Sequence, residues 1–216
     1  MPEYHGIKAP NRNDAFATAA ARSMIAEMKA LLADGADVDG ILSKFGGALH
    51  GGSALHVAAN CGMIRSVEFL ITAGANLNLL DHLDLTPLMC ACNAGKVKHC
   101  RVALGLIETG ADVRYVRKSD EMTALKFAVD RCSPEVLQAL IDHGADVDGP
   151  RGTEQTALML AARANNVESL RVLVNNGAQL SLKCKLPWAE GRTAEGLAEL
   201  EKRKKALAYL RSLRSR

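Results

Sequence analysis

The strongest constraint on the fold of this chain is a unit that recurs about every 33 residues. Glycines recur at Gly35, Gly74, Gly110, Gly144 and Gly177. In the same register, residues able to cap a helix N-terminus recur 39, 33, 37, 33 and 37 residues apart, at Asp14, Ser53, Thr86, Thr123, Thr156 and Thr193. Short polar side chains accept hydrogen bonds from the free amides of a first helical turn, and glycine takes the positive φ that many helix ends need. The two series predict stacked helical units, with insertions of six, four and four residues.

Residues 53–78, SALHVAANCGMIRSVEFLITAGANLN, show one unit in full. Ser53 opens a helix of small residues, Gly62 ends it, a more apolar helix follows, and Gly74 ends that one. One such unit cannot bury its apolar face without neighbouring copies. The stretch resembles the ankyrin repeat, whose usual form is TPLHxAAxxG, a second helix and a GADVN-like close. The resemblance implies an all-α solenoid of helix–turn–helix units with β-hairpin fingers between repeats.

This register predicts an N-terminal tail at residues 1–12 and a single domain at 13–216. The expected repeats are 14–46, 47–79, 80–116, 117–149 and 150–186, followed by a C-terminal cap at 187–213. Three extra residues between Gly95 and Gly110 lengthen either the second helix of repeat three or the loop before it. The cap is expected to form one charged helix with a buried leucine stripe, Leu197, Leu200, Leu207 and Leu210.

Composition indicates a chain that neither crosses a membrane nor carries disulfides. No run approaches the roughly 18 apolar residues of a membrane span, and residues 1–13 lack the apolar core of a signal peptide. The six cysteines follow no disulfide or zinc spacing, and Cys90 and Cys92 fall at small apolar positions of a first helix. We therefore expect buried structural thiols, no metal, no cofactor, and a cytoplasmic protein that can also enter the nucleus.

No arrangement of nucleophile and base or phosphate-binding glycine loop stands out, so no catalytic residue is expected. His56 fills the fourth position of the TPLH-like motif, where the resemblance implies an imidazole that ties neighbouring turns together. The resemblance further implies that the fingers and the first helices form a concave face for a partner. The candidate partner-binding residues are Phe45, Leu49, His50, Asn60, His82, Leu83, Leu85, Asn93, Tyr115, Arg117, Met122, Asp130, Arg131, Arg163 and Trp188.

Three aromatic residues, Phe45, Tyr115 and Trp188, fall in fingers, at 38–52, 112–122 and 180–192. Trp, Tyr and Arg dominate interface hot spots, which favours exposed anchors. The alternative, open for Phe45 and Trp188, is that the longer fingers fold back on these rings as a small core. For Tyr115, which lies among basic residues, we expect exposure.

These patterns favour a monomeric protein-binding adaptor, scaffold or inhibitor whose partner is a protein rather than a nucleic acid or a membrane. One alternative is a nucleic-acid- or nucleus-associated factor, because residues 191–216 carry eight Lys or Arg against three Glu. An enzyme or a small-molecule sensor closed by a long finger is the third candidate, and no titratable cluster supports it.

Overall fold

A computed structural model of the chain describes residues 11–43, 51–150, 155–189 and 191–213. These residues form six pairs of α-helices and one 3-10 turn, Pro187–Ala189, and they contain no strand. The expected all-α fold of helix–turn–helix units is thereby confirmed. The helices are α1 (Arg12–Ala21), α2 (Ile25–Ala33), α3 (Ala54–Cys61), α4 (Ile64–Thr72), α5 (Pro87–Ala94), α6 (Val97–Glu108), α7 (Ala124–Arg131), α8 (Pro134–Asp142), α9 (Ala157–Arg163), α10 (Val167–Asn175), α11 (Ala194–Leu200) and α12 (Lys204–Ser212).

The chain divides into two compact units, residues 1–112 (unit 1) and 113–216 (unit 2). In unit 1, α1, α3 and α5 pack side by side as an inner row, and α2, α4 and α6 form the outer row. In unit 2, α7, α9 and α11 form the inner row, and α8, α10 and α12 the outer row. Small residues such as Ala58, Ala59, Ala161 and Ala162 are fully buried, which allows neighbouring helices to approach closely. The single domain expected from the sequence stays a prediction.

The predicted series of helix caps is confirmed at five of its six positions, where Ser53, Thr86, Thr123, Thr156 and Thr193 precede α3, α5, α7, α9 and α11. At α1 the prediction was wrong. Asn11 is the N-cap and accepts a hydrogen bond from the Asp14 amide at 2.8 Å. Asp14 is buried in the first turn, where its carboxylate accepts hydrogen bonds from the amide and hydroxyl of Ser43 at 3.1 and 2.8 Å. Asp14 is thus a cap former by residue type, but its carboxylate binds Ser43 instead of capping α1.

The ends of the outer helices follow the predicted register. The five recurring glycines have φ between 84° and 97°. Helix α6 has twelve residues, whereas α2, α4, α8, α10 and α12 each have nine. The three extra residues of repeat three therefore lengthen the helix and not the loop before it.

The C-terminal cap is a helix pair rather than the single charged helix expected. Lys202 has φ 56° and breaks the helical conformation between α11 and α12. Leu197 and Leu210 are buried as predicted, but Leu200 ends α11 with 42% of its surface exposed. The break lets α12 turn back and pack against α9 and α10.

The described parts of the fingers close through short hydrogen-bonded pairs instead of strands. The Cys184 amide donates to the carbonyl of Arg192 at 2.7 Å, and the Gly191 amide donates to the carbonyl of Cys184 at 2.9 Å. A similar bond joins the Arg117 amide to the Met122 carbonyl at 2.9 Å. In place of the β-hairpins that the resemblance implies, the described parts of these fingers have backbone hydrogen bonds that join their two ends.

The six cysteines are free thiols, and Cys90 and Cys92 are buried in α5 as the register predicts. Within the described ranges, no three His, Cys, Asp or Glu side chains are grouped as a metal site would require. No helix there is both long enough and apolar enough to span a bilayer.

Candidate partner-binding surface

Trp188 is the most prominent candidate in unit 2. It lies in the 3-10 turn between α10 and α11, and half of its surface is exposed (50%). The guanidinium carbon of Arg163 lies over the ring, 4.7 Å from its centroid. The finger therefore neither buries this ring as a core of its own nor leaves it free, because an inner-helix arginine covers it.

Arg163, the last residue of α9, is held from two directions. Its Nε donates to Glu201 Oε1 at 2.6 Å, and its Nη1 donates to Gln155 Oε1 at 3.0 Å. Glu201 also accepts from Nε and Nη2 of Arg203, at 3.3 and 3.1 Å. Burial alone would raise the pKa of Glu201, but the hydrogen bonds from the two arginines outweigh it, and the pKa lies below its usual value. Glu201 is therefore ionised and fixes the guanidinium above Trp188.

A second arginine–aromatic contact lies in the loop before α7. The Arg117 guanidinium is 5.5 Å from the centroid of the Phe127 ring, and its Nε donates to Asp120 Oδ1 at 2.7 Å. This hydrogen bond is the main cause of the lowered pKa of Asp120. Because the Arg117 side chain is only 19% exposed, most of it faces its own loop and not solvent.

The other candidates of unit 2 differ in accessibility. Asp130 and Arg131 are exposed at the C-terminal end of α7. Tyr115 and Met122 are half-buried, so the full exposure expected for Tyr115 is not found. Asp130 and Arg131 therefore offer a partner more surface than the loop that precedes α7.

In unit 1 the finger before α5 exposes His82 and Leu83 but buries Leu85. Two amides, those of Leu83 and Leu85, donate to Asp81 Oδ1 at 2.8 and 2.9 Å. These bonds turn the finger inward at Leu85, whose carbonyl pairs with His56 Nε2 at 3.1 Å. The Leu85 side chain is thus a core contact, which corrects its place among the surface candidates.

His56 itself performs the tie that the resemblance implies. Its Nδ1 accepts from the Ser53 amide at 3.1 Å, and its Nε2 reaches the carbonyl of Leu85, 29 residues along the chain. Burial lowers its pKa, although the hydrogen bond to Leu85 and the charge of Asp81 act in the opposite direction. A buried imidazole with both nitrogens engaged is a structural group.

The remaining candidates of unit 1 lie at the ends of inner helices or outside the described residues. Asn60 is exposed near the end of α3, and its carbonyl accepts from His99 Nε2 at 3.0 Å. Asn93 of α5 is half-buried. Phe45, Leu49 and His50 fall in the undescribed part of the first finger.

Sequence reasoning missed Glu201 and Gln155, the two residues that position Arg163. A signal for Glu201 was present: Arg163 and Leu200 each stand seven residues after their caps, Thr156 and Thr193, so the register places them on adjacent inner helices. An acidic residue next to Leu200 was therefore close enough to pair with Arg163.

Comparison with known proteins places this fold among repeat proteins. A family model described as ankyrin repeats (3 copies) matches residues 55–151 and 98–184. The Homo sapiens neurogenic locus notch homolog protein 1 is 30% identical over 156 residues, covering 68% of this chain and 6% of that protein. The Homo sapiens transient receptor potential cation channel subfamily A member 1 is 31% identical over 131 residues, covering 58% of this chain and 11% of that protein. The Mus musculus B-cell lymphoma 3 protein homolog is 32% identical over 139 residues, 62% of this chain.

This chain thus spans between 6% and 30% of the length of these three relatives. Among solved structures, one chain from the complex of a predatory endopeptidase of Bdellovibrio bacteriovorus with an immunity protein superposes with a TM-score of 0.77. The match covers 92% of this chain and 97% of that one at 23% identity, so it shows likeness of fold alone.

Proposed function

Since this chain belongs to the ankyrin-repeat family, we propose that it is a protein-binding adaptor, scaffold or inhibitor that presents its inner helices and fingers to a partner protein. Ankyrin repeats generally mediate protein–protein interaction, which supports the class. The observation that carries the proposal is the half-exposed Trp188 beneath Arg163, whose guanidinium is held by hydrogen bonds to Glu201 and Gln155.

The reason is energetic. Binding costs conformational entropy for each side chain that must be ordered at an interface, and a ring already fixed by a tethered arginine has little left to lose. Trp and Arg are also the residue types most enriched at binding hot spots. A protein partner can therefore gain affinity at this surface without reorganising it.

We further propose a cytoplasmic monomer without catalytic activity or cofactor. Ankyrin repeats are generally interaction modules, and local contacts explain three of the pKa shifts: burial those of His56 and His99, and its arginine that of Asp120. None of these shifts needs a catalytic role to account for it.

A nucleic-acid-associated role of the C-terminal helix is the second candidate. Lys202, Lys204 and Lys205 are exposed on its first turn and the turn before it. Acidic neighbours weaken this case, because Arg203 pairs with Glu201, and Arg211 pairs with Glu195 and Glu199 at 3.5 and 2.8 Å. Retention on a nucleic-acid column that falls steeply with salt would favour this candidate.

The test compares wild type with Trp188→Ala in affinity capture, followed by titration of the captured protein. We expect Trp188→Ala to weaken binding by about 2 kcal/mol, roughly thirtyfold, while the melting temperature stays nearly unchanged. The matched control is Tyr209→Ala, which removes another aromatic ring stacked under an arginine, Arg171, in the outer row. Equal affinities of Trp188→Ala and wild type for every captured protein would reject the Trp188 surface as the interface.

A further inference from the structure

Arg163 presents an unused hydrogen-bonding edge. A guanidinium carries five N–H donors, and here Nε and one Nη1 hydrogen are taken by Glu201 and Gln155. The Nη2 group and the second Nη1 hydrogen make no hydrogen bond to the described residues, and the side chain is 34% exposed. The two Nη groups form a planar fork that fits both oxygens of a carboxylate.

Apolar surface lies beside this fork. Trp188 lies under the guanidinium, and half of its surface (50%) is exposed there. An incoming chain that places an acceptor on Arg163 therefore meets a large apolar surface next to it.

The surrounding charge is basic. The finger at 180–192 exposes Lys183, Lys185 and Arg192, and its sequence has a single acidic residue, Glu190. Arg163 and Arg203 share the single carboxylate of Glu201, so this group of three side chains has a net positive charge. Basic residues before and after Trp188 along the finger, with Arg163 over its ring, attract an anionic partner and oppose a cationic one.

From this arrangement we propose that the surface around Trp188 binds an acidic segment of a partner protein in which a carboxylate stands beside a large apolar side chain. The carboxylate pairs with the free edge of Arg163, and the apolar side chain packs against Trp188. This inference rests on the proposed protein-binding function and names the chemistry of its partner.

A peptide fits this surface better than a nucleic acid does. Single-stranded nucleic acids are bound by several aromatic side chains that stack on successive bases. Here the finger carries one aromatic ring, one of whose faces is covered by Arg163. A phosphate chain carries a charge on every nucleotide and would meet the ionised Glu201 beside Arg163, whereas a single carboxylate needs only the Nη donors that Glu201 and Gln155 do not occupy.

The experiment selects random linear peptides, displayed on phage, against the immobilised full chain. We expect the enriched peptides to share an acidic residue next to a large apolar one. Because Trp188 is the only tryptophan of the chain, its fluorescence reports binding at this surface directly. Replacing the acidic residue of an enriched peptide by its amide should weaken binding at least about tenfold. This comparison leaves the protein unaltered.

The matched protein variants are Arg163→Gln and Arg171→Gln. Both remove one arginine stacked on an aromatic ring, but Arg171 lies over Tyr209 in the outer row. We expect about a tenfold loss of peptide affinity for Arg163→Gln and none for Arg171→Gln. The melting temperature of each variant shows whether it is folded. If Arg163→Gln does not fold, the comparison of the acidic and amide peptides on the wild-type protein tests the proposal instead.

Several outcomes overturn the inference: no enrichment, enriched peptides without acidic residues, equal affinity of the amide peptide, or displacement of the peptide by oligouridylate at equal concentration. A captured protein whose binding needs Trp188 but ignores Arg163→Gln would overturn it while leaving the protein-binding function intact. If instead no captured protein depends on Trp188, the proposed function fails at this surface.

Discussion

His56 joins the start of α3 to the loop before α5 through both of its ring nitrogens. Since Nδ1 accepts from a backbone amide, the proton resides on Nε2, which donates to the Leu85 carbonyl, and the imidazole is neutral. Protonating it would cost the Ser53 hydrogen bond inside a buried site. Burial accordingly lowers its pKa below that of an exposed histidine.

This gives a prediction for pH. The unfolded chain binds a proton at His56 more readily than the folded chain does. The contribution of His56 to the free energy of unfolding is therefore at its maximum above about pH 6.5, and it decreases as the pH falls toward the pKa of the folded protein. His99 acts in the same direction, because burial and then the charges of Lys98 and Lys96 lower its pKa. The melting temperature should therefore drop between about pH 7 and pH 5.

The measurement is the melting temperature of wild type, His56→Gln and His99→Gln over this range. Each variant should be less stable at pH 7 but should lose less stability on acidification than wild type does. The charges of Asp81 and Asp39 raise the pKa of His56, whereas burial lowers it. The slope of melting temperature against pH therefore tests whether burial dominates. Parallel pH profiles for all three proteins would contradict the assignment.

The first helix shows what residue patterns leave undetermined. Asn11, Asn13 and Asp14 are all good N-cap residues within four positions, and propensity does not choose among them. The choice is made by a distant contact, because the Asp14 carboxylate binds Ser43, 29 residues ahead. Where a single short polar residue stood at the expected point, as at Thr193 after Glu190, Gly191 and Arg192, the sequence located the helix start correctly.

At the scale of elements, α6 is three residues longer than the other outer helices and carries a glycine, Gly105, in its interior. An added Cβ at Gly105 would meet no atom within 4 Å, and its φ is not positive. Since glycine costs a helix interior about 0.5–1 kcal/mol relative to alanine, Gly105→Ala should stabilise the protein by about that amount. Urea unfolding of the two proteins measures the difference.

The matched control is Gly62→Ala, at the turn between α3 and α4. Gly62 has φ 67°, and an added Cβ would lie 2.7 Å from Lys98 Cγ and 2.9 Å from His99 Cδ2. Strain and crowding act together there, so we expect a loss of more than about 1 kcal/mol. If both variants lose stability, α6 is constrained at Gly105 by something other than its own backbone.

Helix boundaries were predictable where glycine or proline marks them, and the cap pair shows the limit of that signal. The turn between α11 and α12 uses Lys202 with a positive φ, a conformation uncommon for residues other than glycine. No turn signal stands in the run EKRKK, so a continuous helix was the natural prediction. The break becomes favourable because α12 can then pack on α9 and α10.

Across the molecule, the register predicted which helix positions face a neighbour but not how loop side chains are arranged. Leu83 and Leu85 are two residues apart and differ in exposure because Asp81 binds both of their amides. Likewise, Arg163 was identified by its register, whereas its partner Glu201 lies 38 residues away in a repeat expected to be one helix. Such contacts depend on the stacking of units, which period and propensity do not describe.

The last helix pair gives the prediction for the whole molecule. Helix α11 packs on α9, and α12 packs on α10 and α9. Deleting residues 193–216 should therefore uncover apolar side chains that are fully buried, Leu158, Leu170 and Leu173. Burying one such side chain contributes about 1.5–3 kcal/mol, against about 5–15 kcal/mol for the stability of a whole domain. The truncated protein should aggregate or melt at a much lower temperature.

The deletion also removes basic charge, so a full-length variant must separate packing from electrostatics. Lys204→Gln with Lys205→Gln neutralises two exposed lysines of α12 and leaves Ala206 and Leu210 to pack as before. Exposed substitutions of this kind change stability by about 0.5 kcal/mol or less, so this variant should melt close to wild type. Calorimetry and light scattering on the three proteins check both expectations. A truncated protein that stays monomeric with an unchanged melting temperature would show that α11 and α12 are an appendage, and Arg163 would then have to hold its place over Trp188 without Glu201.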